Sequence, residues 1–174
     1  MRKNTEGLTK NIASSRNWFR SELLPDAIRL QRQVLTAPTT IQCYEGIKLL
    51  FVEDGSGTLL ANGKTYSLQT GSSCLIYCFH FHKIIPTPNC TLKLSTCYIS
   101  YNTFLFASIV PGYHLIEIEQ SLIPVLVEFS GTQQTRIRQI LAAMEDSQSN
   151  QGSDLQHALL FEWLGRLCRS YTPK

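Results

Sequence analysis

The sequence predicts a mostly β domain, a small antiparallel sandwich or barrel, followed by an antiparallel pair of α-helices. Two observations carry this. Three turn signals, Asp54-Gly55, Asn62-Gly63 and Thr70-Gly71, fall eight residues apart and separate short runs of strand formers in FVEDGSGTLLANGKTYSLQTGSSCLIYC. Gly and Asn supply the positive φ of tight hairpin turns, and the β-branched and aromatic residues around them suit a pleated surface. At Ser130-Gly131 the hydrophobic period then changes from two to 3.6.

Residues 1–26 read as a polar tail with a short helix from about Ile12 to Leu24, closed by Pro25. In residues 27–36 alternation places Ile28, Leu30, Arg32 and Val34 on one face of a first strand. Gln42 to Val52 forms the second long strand. Residues 74–85 and 91–101 follow as strands, separated by a proline-rich turn, and 113–118 and 123–129 are the last short ones. Pro124 suits an edge or a strand start. The barrel thus covers 27–130 and the helical hairpin 131–174. Its first helix runs from about Thr132 to Ser147 with Ile137, Ile140, Leu141 and Met144 on one stripe. Its second starts at Ser153, in capping-box spacing with Gln156, and reaches about Tyr171. That helix is apolar over so wide an arc that a second subunit is expected to cover part of the pair, through the stripe of Ile137, Ile140, Leu141 and Met144.

A chain of 174 residues with 43% hydrophobic and 17% charged residues has the size and composition of a single globular domain, not of a disordered segment. No apolar run approaches the roughly 20 residues of a membrane span, so no membrane partner is expected. The net charge is +3, but residues 1–20 hold five basic groups and one acid (+4), which leaves −1 for the remainder. Basic charge is a property of the tail, and no basic face for nucleic acid is expected. Six cysteines without a secretion signal or a Cys-x-x-Cys pair read as reduced thiols of a cytoplasmic protein.

The order of strand, Gly55-x-Gly57-x-Leu59, short hairpin, Leu68-x-x-Gly71, strand and His82 resembles the cupin jelly roll, in particular the sensor domain of AraC-type transcription regulators. Metal-binding cupins hold a divalent ion with three imidazoles and one carboxylate directed into the barrel. Placing the closing glycine of their first motif on Gly55 puts Lys48 at the carboxylate position. The two histidine positions then fall on Ile41 and Cys43, or with the shorter spacing on Gln42 and Tyr44. In the second motif Gly71 matches and His82 has the histidine spacing, while Tyr77 and Phe79 replace the proline and glycine. A cation stands where the carboxylate was, so no metal and no other cofactor is expected.

Cys74, Cys78, His80 and His82 share parity and would line one face of an unbroken strand. Positions i and i+4 of a strand are about 13 Å apart, too far for one ion. No nucleophile elbow, P-loop or dinucleotide fingerprint occurs, and the carboxylate pairs Glu53/Asp54 and Glu117/Glu119 suit solvated edges. No catalytic residue is expected.

Polar residues on inward-reading faces are a better guide. Arg32 interrupts an apolar face, and Lys48 shares parity with Leu50 and Val52. A cation inside a barrel requires a partner, and a ligand is one candidate. Arg32, Lys48, Tyr77, His82 and Tyr98 are therefore the candidate ligand site, suited to a small polar or anionic molecule. The resemblance implies a homodimeric effector-sensing domain that reaches DNA only through a C-terminal domain beyond this sequence. The alternative is a stand-alone metal-dependent cupin enzyme, isomerase or dioxygenase-like, and a third reading is a dimerisation module without ligand.

Overall fold

The computed structural model describes residues 28–113, Leu115, 124–149 and 153–171. The helix expected between Ile12 and Leu24, and Glu117 with Glu119, lie outside the described residues. Among the described residues there are eight strands: β1 (Ile28–Leu35), β2 (Ile47–Asp54), β3 (Ser56–Ala61), β4 (Lys64–Gln69), β5 (Ser72–Ile76), β6 (His82–Pro86), β7 (Leu92–Ile99) and β8 (Val125–Glu128). Helix α1 (Tyr101–Ser108) separates β7 from β8, and α2 (Gly131–Ser149) and α3 (Ser153–Ser170) close the chain. The strands form two antiparallel sheets, β1-β7-β2-β5-β8 and β4-β3-β6. This is a cupin-like, mostly β architecture with C-terminal helices, as expected.

The hairpin rhythm has the anticipated cause. Asn62 (φ 46°) and Gly63 (φ 77°) are both left-handed, and Ala61 faces Lys64 across the turn they make. That is the backbone of a two-residue primed turn, whose twist matches the flanking strands. Gly71 (φ 93°) is held from both sides, its N–H donating to Val52 and its carbonyl accepting from Phe129, each at 2.9 Å. A Cβ there would collide with the Phe129 carbonyl, so glycine is required by space as well as by φ.

The central strands of the five-stranded sheet, β2, β5 and most of β7, are buried on both faces. Ile47, Leu49, Phe51, Leu75, Cys97 and Ile99 face the helices, where they meet Ile137, Ile140, Leu141, Met144, Leu160, Trp163, Leu164 and Leu167. Leu50, Val52, Cys74, Ile76, Leu92 and Leu94 point the other way and meet Leu59, Ala61, Leu68 and Ile84 of the small sheet, filling the barrel. Two polar ties fasten the helical layer. The Trp163 indole N–H donates to Ser73 Oγ (3.1 Å), which donates to the Leu50 carbonyl (3.0 Å). Arg136 makes a two-pronged pair with Glu162 (2.8 and 2.7 Å), joining α2 to α3 and holding that carboxyl down at about 2, with help from Arg166.

Four expectations are corrected. The strand expected over 74–85 is two strands in different sheets, because the chain turns through 77–81, so Cys74, Cys78, His80 and His82 do not share a face. Strand pairing of the second strand starts only at Ile47; Gln42 is held by a single bridge to His82. The strand over 91–101 ends at Ile99, since Ser100 accepts from the Thr103 N–H (3.1 Å) and caps α1 instead. In the segment 113–118, Leu115 is helical and 116–118 lie outside the described residues. By contrast β1 and β8, the latter directly after Pro124, fall where expected.

The stripe assigned to dimerisation is the largest correction. Ile137, Ile140 and Leu141 are 0% exposed and Met144 1%, all against this chain's own sheet. The apolar arc is absorbed by the second face of a doubly covered sheet. Ile140→Glu is therefore expected to unfold the domain rather than yield a folded monomer. Ile140→Ala should lower unfolding free energy by about 2–5 kcal/mol, read by urea denaturation; a folded, dispersed glutamate variant would refute the packing described.

Candidate functional site

Strand β2 carries one polar side chain into the barrel. Its inward face reads Lys48, Leu50, Val52, and Lys48 lies opposite Ile76 of β5 and Tyr98 of β7. The ammonium is 6% exposed and held at one end of the barrel by four groups. Nζ donates to Gln42 Oε1 (3.0 Å) and to His82 Nε2 (3.2 Å). It also sits 5.6 Å from the Tyr44 ring centroid and 5.5 Å from that of Tyr98, within cation–π range. The two rings meet edge to face at 5.1 Å. No acid among the described residues lies within ion-pair distance of it.

His82 opens β6 beside Ala61 and is 3% exposed. Its Nδ1 lies 2.9 Å from the His80 carbonyl. A carbonyl only accepts, so Nδ1 carries the proton and Nε2 offers its lone pair to Lys48. Burial, then the neighbouring ammonium, pushes the imidazole down to about 4, and burial brings Lys48 down to about 8. Near neutral pH the pair is thus a charged lysine against a neutral histidine. Burial lifts the Tyr44 phenol to about 12, and Tyr98 is raised for the same reason, so both rings stay neutral walls. The site is a single buried positive charge ringed by neutral dipoles and π-faces, at one end of the packed apolar barrel.

Three of the five candidate residues, Lys48, His82 and Tyr98, converge. Arg32 and Tyr77 do not. Arg32 lies on the edge strand β1 with a half-exposed side chain that pairs with Glu145 (3.0 Å) and Glu53 (3.6 Å), outside the barrel. Its parity is that of Ile28 and Leu30, but this face meets α2, not the barrel. Tyr77 follows Ile76, and the alternation that turns Ile76 into the barrel turns Tyr77 onto the opposite face. There it stacks on Phe79 (5.4 Å) and meets Phe104 (5.6 Å) edge to face. Gln42 and Tyr44 were missed as site residues. They are the shorter-spacing alternatives for the two histidines of the cupin motif, so the motif alignment already held the signal.

With the shorter spacing, the cupin motifs put the four metal-ligand positions on Gln42, Tyr44, Lys48 and His82, and these four residues gather around one point. They do not fit a divalent cation. The ammonium occupies the carboxylate position, and the one good donor, His82 Nε2, is turned to it. Among the described residues no group of three His, Cys, Asp or Glu is placed to hold a metal. No helix among them is long and apolar enough to cross a membrane.

Residues 37–165 match the family model of the AraC-like ligand-binding domain. No curated protein sequence matches the chain. Among solved structures it is similar to ToxT of Vibrio cholerae strain SCE256 with an unsaturated fatty acid bound (TM-score 0.58, 10% identity, 86% of this chain and 58% of that one). It is also similar to ToxT of Vibrio cholerae O395 bound to (E)-4-(8-methylnaphthalen-1-yl)but-3-enoic acid (TM-score 0.57, 11% identity, 83% of this chain and 58% of that one). The chain thus spans less than two thirds of the length of these proteins. With a jelly roll, a C-terminal helix pair and a family match over most of its residues, the chain belongs to the AraC-like ligand-binding domain family.

Proposed function

We propose that this domain is the effector-sensing part of an AraC-type transcription regulator, and that its effector is a small anionic molecule whose charged group meets Lys48. The observation that carries this reading is a buried ammonium held only by neutral groups. Gln42, His82, Tyr44 and Tyr98 solvate the charge without cancelling it, and an arriving carboxylate would do both. The side chains that fill the barrel beside it, among them Leu50 and Ile76, are apolar, so an anion that displaced them would be expected to carry an apolar body. Both ligands named for the ToxT structures are carboxylic acids with such a body, which supports the same class here. The domain acts without metal and without catalysis, in the cytoplasm, and DNA contact belongs to another part of the regulator. A homodimer remains part of the proposal, through a surface other than the buried stripe of α2.

A thermal-shift screen of aliphatic and aryl carboxylates on the wild type and on Lys48→Met tests it. A true effector at a hundredfold excess over Kd stabilises the wild type by about 2.7 kcal/mol and leaves Lys48→Met unmoved. Equal shifts in both proteins would take Lys48 out of the site.

Unliganded stability carries a second signature. The folded state lowers Lys48 from 10.5 to about 8, so between these values the unfolded chain binds more protons and stability rises with pH. From pH 7 to 11 the wild type should gain about 3 kcal/mol relative to Lys48→Met, measured by urea denaturation at each pH. Anion affinity should run the other way, full below about pH 8 and lost as the bound ammonium deprotonates. Parallel stability curves for the two proteins would show that Lys48 is not desolvated.

A further inference from the structure

Two cysteines near the Lys48 site belong to neither of the two apolar clusters. Cys43 lies between Gln42 and Tyr44, and Cys78 lies in the turn that brings the chain from β5 to His82. The Cys43 Sγ–H donates to the carbonyl oxygen of Cys78 itself at 2.7 Å, so residues 35 apart in sequence are in direct contact. Each has a different access to solvent: Cys43 is buried and Cys78 half-exposed. Burial raises the Cys43 thiol, and a charge on Cys78 would raise it further. Cys74 and Cys97, at 0% exposure, are raised further by burial, and among the described residues no hydrogen bond joins either to another cysteine.

From this juxtaposition we infer that Cys43 and Cys78 form an oxidative cross-link site, in which a hydroperoxide converts the two thiols to a disulfide. The half-exposed Cys78 is the residue a peroxide reaches first. Its thiolate attacks one peroxide oxygen, the O–O bond breaks, and the departing hydroxide takes up a proton to leave as water, giving a sulfenic acid on Cys78. Cys43 then attacks that sulfur; the S–S bond forms, the S–O bond breaks, and the second oxygen leaves as water with the Cys43 proton. Two thiols and one hydrogen peroxide become one disulfide and two waters, each sulfur losing one electron. The bond would join the segment carrying Gln42 and Tyr44 to the turn preceding His82, fixing three of the four groups around Lys48 relative to one another. The inference concerns the thiols alone and stands whether or not the site takes an anion.

The test is to treat the folded chain with hydrogen peroxide, alkylate the remaining thiols and map the peptides by mass spectrometry. The expected result is a linked Cys43–Cys78 peptide pair, loss of two of the six titratable thiols, and return of both with dithiothreitol. In Cys43→Ser the link should be absent and a dimedone adduct should appear on Cys78 instead. Oxidation settling on the exposed Cys90, or Cys78 advancing to the sulfinic acid in the wild type with Cys43 still reduced, would overturn it. The wild-type peptide map decides the matter even if the serine variant does not fold.

Discussion

The central strands of the five-stranded sheet are buried on both faces, and the rest of the molecule follows from that constraint. An antiparallel sheet with one wet face needs only alternate apolar residues; β2 instead reads Ile-Lys-Leu-Leu-Phe-Val and is buried at all six positions. One set of alternate side chains fills the barrel, and the other needs a cover. The helices supply it, which is why α2 spends Ile137, Ile140, Leu141 and Met144 on its own sheet. The same constraint makes Lys48 conspicuous, as the one charged side chain in a run that has no solvent face.

Lys48 is tolerated there through geometry rather than through charge neutralisation. A neutral imidazole, an amide oxygen and two aromatic faces replace part of its hydration shell, each worth roughly 1 kcal/mol or a little more, while full desolvation of an ammonium costs several. The remainder appears as the drop from 10.5 to about 8. His82 bears the reciprocal strain: its own burial keeps it neutral, and the neighbouring ammonium adds to that. A site in which one group is charged at the expense of another differs from an ion pair, whose two members stabilise one another, and it is this imbalance that the proposed anion would relieve.

How much of this was legible in the sequence varied with the kind of signal. Turn chemistry was local, so Asn62-Gly63 and Gly71 placed the hairpins correctly, and the change of period at Gly131 located the helices. Parity along an unbroken strand put Lys48 in the barrel beside Leu50 and Val52. The errors came wherever parity was carried across a break or a sheet had two buried faces. Alternation identified the apolar face of β1, but not whether it met the barrel or α2, so Arg32 was misplaced. The turn through 77–81 cancelled the common face of Cys74, Cys78, His80 and His82. Sequence periodicity likewise measures how much of a helix is apolar without saying what covers it, and the dimer stripe was the consequence. Gln42 and Tyr44 were named by the motif alignment but not as site residues: they precede the first ladder pairing of β2, in a stretch tied down by its bridge to His82, where strand parity does not say which way a side chain points.

Placement of the site also determines what a change there can move. Lys48 and Leu50 are two residues apart on β2, and the Leu50 carbonyl accepts from Ser73, which in turn accepts from Trp163 at the centre of α3. Ser73 and Trp163 are both 0% exposed, so neither hydrogen bond can be exchanged for one to water without opening the core. Close packing adds to this, since Phe51 and Leu49 on the reverse face of β2 belong to the same cluster as Trp163 and Leu164. A shift of β2 at its Lys48 end therefore has little slack to absorb it before it reaches the helices. The barrel and the hairpin are distinct in sequence period and in secondary structure, yet through this one strand they form a single mechanical body.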